Sequence, residues 1–424
     1  MILMFVVLAI LIVGGLPIAF AFGLAAMVGL WVDDLNLLNV ASRMFAGLDT
    51  FVLLAAPFYI VVGDLMVRAR LSDRLISFST LIVGRIRGGT AYANIVASIL
   101  FAGISGTAIA DIASLGRVFI NAMPKEGYSK AFAASLTVAS SIIGPIVPPS
   151  VIMVIYAALA DLSVLTLFAA AIVPGLLLGV SCAVVVFVKS VRGELPVSAM
   201  TVPPRERPKA LRDGLIVMTL PGFILFGTVS GVFTPTEAGG IAVVLAIFLG
   251  SVVFRELTFS STILAFRTAA RLTASLFLIF ASVQIINYVL ILGGIQADAR
   301  KLLTIFSDYP FAFLVVCAVF FIVIGLVLDA GPALFLLAPI LLPLTRQMGI
   351  DDSQFSMVML IAVTMGLITP PVGVCLFVTC RIGDITIGEM WKELRWFFMA
   401  ELGVLLLLCY FPGLSTWVPA MIGR

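Results

Sequence analysis

The 424-residue chain contains no histidine, which removes imidazole as metal ligand, proton shuttle or general base. Charge is scarce as well. Lys, Arg, Asp and Glu together make up 11% of the residues, against about 25% in ordinary globular proteins. The net charge of +3 is too small to point to a nucleic-acid partner. Five cysteines (Cys182, Cys317, Cys375, Cys380 and Cys409) lie in apolar runs without metal-site spacing and read as small buried hydrophobes. There is no GxxxxGKS loop, so the chain does not bind ATP by a P-loop, and any energy source is a gradient or a partner. A nucleophile elbow and a clustered acid motif are also missing, which argues against an integral membrane enzyme.

What is present is apolar. With 62% hydrophobic residues and a mean hydropathy of +1.24, the chain reads as an all-α polytopic membrane protein in a lipid bilayer. Residues 1–32 carry no charge, and without a basic n-region or a convincing cleavage site they read as a retained helix, not a signal peptide. Apolar spans of membrane length lie near 3–30, 51–67, 131–160, 163–188, 214–231, 236–254, 271–293, 354–378 and 396–418. Two further apolar segments, near 91–117 and 310–344, are broken by glycine, serine or proline. The basic join 189–213 falls in the cytoplasm by the positive-inside rule, as does 68–88, and the acidic join 31–39 falls outside. Segment 71–87 reads as an amphipathic helix along the cytoplasmic interface, and 293–310 as a similar helix on the other side.

A shift of 222 residues superposes Gly103 on Gly325, Gly127 on Gly349, Gly144 on Gly366, Pro148 on Pro370 and Pro149 on Pro371. Five spans separate the two broken segments, an odd number, so the repeats are expected to be inverted across the membrane. Within them, "GPIVPPS" and "GLITPPV" put double prolines inside apolar runs. Proline has no amide hydrogen and clashes one turn back, so each pair frees backbone carbonyls. Such unwound backbone is tolerated at membrane depth only where it is buried in protein or lines a cavity. Freed carbonyls can hold a cation, and the restarted helix can face an anion. For either motif alone the other reading is a plain proline kink; the duplication favours a binding site. The small-residue segment 101–116 reads as a re-entrant hairpin tip, and 325–339 as its counterpart with Asp329, Gly331 and Pro332 at the turn. Asp111 and Asp329, as intramembrane carboxylates, have two readings, helix cap or ion ligand.

These features, with "GVFTPTEAGGIAV" at 231–243, resemble the large membrane subunit of the tripartite ATP-independent periplasmic (TRAP) transporters over nearly the whole chain. Alone, Thr234 to Ala238 would signal only a helix N-terminus. The resemblance implies sodium-coupled secondary uptake of an organic anion, such as a C4-dicarboxylate, sialic acid or another sugar or keto acid, across the bacterial inner membrane. It also implies two partners, a small four-helix membrane subunit and a soluble periplasmic substrate-binding protein. The implied fold is that of the ion-transporter superfamily, with inverted repeats, two re-entrant hairpins and two discontinuous helices. A stand-alone sodium- or proton-coupled dicarboxylate symporter or exporter is the alternative. Its hairpin tips commonly read SNT, where this chain has Ser105-Gly106-Thr107.

The expected organisation is scaffold helices and an interfacial arm in 1–90, then a first transport half in 91–160. Scaffold helices, the 189–213 loop and a second arm fill 161–309, a second transport half fills 310–378, and a C-terminal scaffold helix fills 379–424. Sodium is expected at Ser105, Gly106 and Thr107 with oxygens near Gly144, Val147 and Pro148, and at a mirror site around Gly325, Gly366, Thr369 and Pro370. The substrate anion is expected between the hairpin tips near Pro149 and Ser150, with Asp111 and Asp329 close by. Arg381 either adds positive charge there or snorkels to the interface. No cofactor beyond the coupling ions is expected.

Overall fold

The computed structural model describes residues 2–32, 36, 39–84, 86–197, 202–294, 306 and 309–422, with backbone only at Ile2, Asn39, Ile104 and Ser105. Among them the fold is all helical, apart from one isolated antiparallel bridge between Arg87 and Val197. The first half runs α1 (Ile2–Val13), α2 (Ile18–Val32), α3 (Asn39–Leu48), α4 (Ala55–Arg68), α5 (Leu71–Val83) and α6 (Gly89–Ser105). Next come α7 (Ala108–Asp111), α8 (Arg117–Ala122), α9 (Lys130–Ser141), α10 (Val151–Ala160) and α11 (Val164–Val191). The second half runs α12 (Arg207–Val229), α13 (Pro235–Phe248), α14 (Phe259–Leu292), α15 (Pro310–Gly325) and α16 (Ala330–Gln347). It closes with α17 (Asp352–Gly366), α18 (Val374–Gly383), α19 (Ile387–Tyr410) and α20 (Gly413–Met421).

Six helical stretches among the described residues are long and apolar enough to cross a membrane, and α19 with α20, bent by 63°, makes a seventh. The chain is therefore a polytopic membrane protein. The expected single span near 3–30 is corrected to two helices. Gly15 adopts φ +81° and Pro17 offers no amide, so the chain stops at Val13 and restarts at Ile18. Near 396–418, Pro412 likewise divides α19 from α20. The "TPTEA" segment starts α13 with a capping box, in which Thr234 and Glu237 satisfy each other's backbone amides; such a cap contributes about 1 kcal/mol.

Helix α14 packs on α2 and α4, α13 on α4 and α12, and α1 on α2. A second group gathers around the breaks: α6 with α9, α15 with α17, α11 with α19, and α19 with α9. The expected interfacial helix is shorter than 71–87 and is not free on a surface. It ends at Val83 because Gly84 and Gly88 follow, and it packs between α6 and α12. Arg74 ties it to Asp213 of α12 at 3.0 Å. The second expected arm (293–310) and the acidic join 31–39 fall mostly outside the described residues.

Candidate functional site

The first hairpin turns at Gly106. Its φ of +61° suits glycine, and a Cβ there would sit 3.3 Å from the amide nitrogen of Val151. Thr107 then caps the return helix, its Oγ1 accepting from the Ala110 amide at 3.3 Å. That helix runs from α7 through a π-helical turn, Ile112–Gly116, into α8. In the second half, Asp329 caps α16 by accepting from the Ala330 amide at 2.8 Å. Thr107 and Asp329 lie 222 residues apart, as do the left-handed Gly127 and Gly349 and the N-caps Ser129 and Asp351. The second turn falls at 326–328, so Gly331 and Pro332 belong to the first turn of α16 instead of the loop. Proline is tolerated there because no intrahelical amide is needed.

The two carboxylates part company. Asp329 is exposed and acts as a cap. Asp111 is 1% exposed and ends α7, whose N-cap is Thr107. Its carboxylate lies against Gly144, where a Cβ would come within 2.5 Å of Oδ2. Glycine at 144 is thus a condition for an acid at 111.

At the first break, α9 tightens as the amides of Ile142, Ile143 and Gly144 each reach back three residues. The Pro148–Pro149 peptide is cis. Ser150 rejoins the pieces: its Oγ donates to the Pro145 carbonyl at 2.7 Å and accepts from the Met153 amide at 3.4 Å. Among the described residues, no hydrogen bond reaches the carbonyls of Gly144, Ile146, Val147, Pro148 or Pro149. Carbonyls freed in this way can accept from a donor or face a cation. Gly103 of α6 faces the same strand of backbone, with a Cβ there 3.2 Å from the Pro148 oxygen.

The second break repeats the plan with different chemistry. Thr369 Oγ1 donates to the Met365 carbonyl at 2.7 Å, Pro370–Pro371 is cis, and Val372 lies 222 residues after Ser150. Closure comes instead from the Cys375 amide, which donates to the Leu367 carbonyl at 3.1 Å. Gly373 has φ +31°, and a Cβ there would lie 2.8 Å from the oxygens of both Leu367 and Thr369. Carbonyls of Ile368, Thr369 and Pro370 receive no hydrogen bond among the described residues. Gly325 and Gly366 meet at a close helix crossing, where a Cβ on Gly366 would be 2.6 Å from the Gly325 backbone. Packing alone therefore accounts for both glycines. The first break is mostly buried, whereas Pro371 and Val372 are exposed.

The halves interlock. Helix α10, which restarts after the first break, packs on α16 of the second hairpin, and α18 packs on α7, α8 and the π turn of the first. Of the expected site residues, the structure thus gathers Gly106, Thr107, Asp111, Gly144, Val147, Pro148, Pro149 and Ser150 at one break. The side chain of Ser105 is outside the described residues. Arg381 is exposed in the last turn of α18, two turns or about 10 Å beyond the helix start.

Sequence reading missed the polar pairs that bind the pieces together. Asn94 donates to Thr137 at 2.8 Å and Ser98 meets Ser140 at 2.9 Å, joining α6 to α9 inside the protein. Ser356 and Tyr156 meet at 3.0 Å, joining α17 to α10. Glu401 was missed too: it is fully buried in α19, with Cys182 Sγ 3.5 Å from Oε1. A lone acid within an apolar span is a visible signal, and 396–418 contains one.

The sequence matches the family described as the tripartite ATP-independent periplasmic transporter, DctM component, over residues 5–414. The sialic acid TRAP transporter large permease protein SiaM of Vibrio cholerae is 34% identical over 417 residues, covering 97% of this chain and 96% of that protein. The C4-dicarboxylate TRAP transporter large permease protein DctM of Pseudomonas aeruginosa is 34% identical over 385 residues, 91% of this chain and 90% of that one. Among solved structures, the Alcanivorax borkumensis YdaH transporter has a similar fold, with a TM-score of 0.64 over 88% of this chain and 87% of that chain. At 16% identity the likeness is one of fold alone.

Proposed function

The chain belongs to the DctM-component family of tripartite ATP-independent periplasmic transporters, which are permeases and not enzymes, and from that premise we propose that it drives organic-anion uptake with a sodium gradient. The observation that carries the proposal is the pair of proline breaks with unbonded carbonyls, each restarted helix packing on the other half's hairpin. Sodium is a hard cation suited to carbonyl and hydroxyl oxygens. The first ion would sit among the oxygens of Gly144, Val147 and Pro148 with Thr107 and Ser105, the second among those of Thr369 and Pro370. A carboxylate between the tips would face the Ser150 end of α10. Relatives named for sialic acid and C4-dicarboxylates support a carboxylate as cargo. The family's plan brings a small membrane subunit and a periplasmic binding protein as partners, in the bacterial inner membrane.

For mechanism we propose inverted repeats, two re-entrant hairpins and an elevator motion. Caps and left-handed glycines recurring at the 222-residue spacing support the repeat. The moving body would contain 91–160 and 310–378, bound together by the buried polar pairs. Hydrogen bonds from Ser135 to the Met390 carbonyl, and from Gln354 to those of Leu408 and Cys409, favour adding α19 to it. Gly103 on the hairpin and Pro221 on the scaffold helix α12 test the motion, because a Cβ at 103 lies 3.1 Å from Pro221 Cβ. In a background lacking the five native cysteines, a Gly103→Cys/Pro221→Cys pair is close to disulfide geometry. Oxidation should cross-link it and stop transport; a cross-linked protein that transports at the full rate rules the lift out.

A further inference from the structure

We infer that the turn between α1 and α2 is a docking point, inside the membrane, for a polar side chain on a transmembrane helix of the small membrane subunit. The inference rests on the partner reading above and adds where that subunit binds and by what chemistry.

Helix lengths put the turn at membrane depth. Helix α1 has 12 residues and α2 has 15, so they measure about 18 and 22 Å, and neither reaches across the roughly 30 Å of hydrocarbon. They pack as an antiparallel pair. A Cβ on Gly29 would lie 3.0 Å from both Met4 Sδ and Val289 Cγ1, so the start of α1 lies beside the end of α2. The far ends of both helices are therefore on one side, the outer one by the acidic join that follows α2. Trp31, exposed at the end of α2, suits that boundary. Helix α14 measures the depth independently. Its residues 272–292 are uncharged and span about 31 Å above Arg271. Gly23 of α2 meets Ser282 and Gly29 meets Val289, so α2 and α14 run side by side in the same direction. Ile18, the first residue of α2, is then level with about residue 277, about 9 Å above Arg271.

Nothing in this chain covers the turn. Val13 is 87% exposed, Gly14, Gly15 and Pro17 are exposed, and a Cβ on Gly15 would meet nothing within 4 Å. Among the described residues, no backbone hydrogen bond reaches the carbonyls of Val13, Gly14, Gly15 or Leu16, and the amides of Ile18 and Ala19 donate none. Irregular backbone exposed to lipid is not tolerated at this depth, because acyl chains offer no hydrogen bonds. A second copy paired through the same turn offers none from its side chains either, since residues 1–32 hold no hydroxyl, amide or charged group. A transmembrane helix of another chain with a serine, threonine, asparagine or glutamine at this level supplies donor and acceptor together. Exposed stripes at helical spacing, Val6, Ile10 and Val13 on α1 and Phe20, Leu24 and Met27 on α2, give its apolar residues a surface beside the turn.

The test places photoreactive benzoylphenylalanine at Val13 or, as a control, at Val319, an exposed position on α15, in the full chain co-expressed with its small subunit. Irradiated membranes should show a cross-link from position 13, and none from 319, to the small subunit, identified by mass spectrometry. Val13→Trp, which adds bulk at the contact, should cut the co-purified small subunit about tenfold. The melting temperature of the isolated variant chain should not change, because Val13 is exposed in it. Suppose the wild-type chain retains the small subunit, but position 13 cross-links only to a second copy or to no polypeptide, or Val13→Trp retains the subunit in full. The inference is then overturned and the partner reading stands. A wild-type chain that retains no small subunit overturns both.

Discussion

Replacing Gly373 by alanine places the most direct strain on the proposed second ion site. The added Cβ would lie 2.8 Å from the carbonyl oxygens of both Leu367 and Thr369, and neither can retreat as a flexible side chain would. At φ +31°, an L side chain also costs about 1–2 kcal/mol in the left-handed region. The Leu367 oxygen accepts from the Cys375 amide, so moving it loosens the restart of α18, worth roughly 1 kcal/mol more. Together these give about 2–3 kcal/mol. If half falls on the ion-bound state, sodium affinity drops by about tenfold. Gly403→Ala is the control, because nothing lies within 4 Å of a Cβ there. The assay is substrate uptake by proteoliposomes containing the partner proteins, titrated with sodium at constant ionic strength. A Gly373→Ala protein that is less heat-stable but has an unchanged sodium midpoint would separate Gly373 from the ion site.

Thr369→Ala and Ser105→Ala should each raise the sodium needed for half-maximal uptake several-fold; unchanged midpoints in both remove these hydroxyls from the sites. Gly144→Ala should abolish transport, since its Cβ would reach within 2.5 Å of Asp111 Oδ2, while Gly144→Ala with Asp111→Ala should regain part of it. Failure of that rescue separates Asp111 from the break. Arg381→Ala should leave uptake within about twofold, because Arg381 is exposed about 10 Å past the start of α18; a tenfold loss would place it at the substrate. Glu401→Met should keep or raise the melting temperature, because Oε2 is buried without a hydrogen-bond partner and an apolar side chain of similar volume removes that cost. A fall of more than about 5 °C contradicts this.

Membrane class and the existence of two breaks were legible because both rest on residue type. Twenty apolar residues have few other uses, and a double proline cannot propagate a helix. Boundaries were less legible. The stretch 3–30 hid a helix end because Gly15 and Pro17 are ordinary in membrane spans, and only the backbone angle shows that they act as a stop. Two expected sodium residues, Gly325 and Gly366, are accounted for by a helix crossing, which no single segment reveals because the partners lie 41 residues apart in sequence. The exchange of hairpins between halves was hidden for the same reason: it depends on how α10 and α18 cross in space. Glu401 was legible in principle, but its burial against Cys182 depends on α11 and α19 meeting, 219 residues apart. Asp111 and Asp329 looked alike in the sequence and differ in the fold: Asp329 is an N-cap, whereas Asp111 ends α7, whose N-cap is Thr107.

The central claim is that a sodium gradient drives the cycle. It is tested most directly by reconstituting the chain with its small subunit and binding protein in liposomes and imposing single-ion gradients. The account predicts accumulation of a carboxylate against its gradient when sodium is higher outside. It predicts no accumulation with an equal potassium or proton gradient, and collapse on adding a sodium ionophore. Accumulation driven by a proton gradient in sodium-free buffer would contradict it.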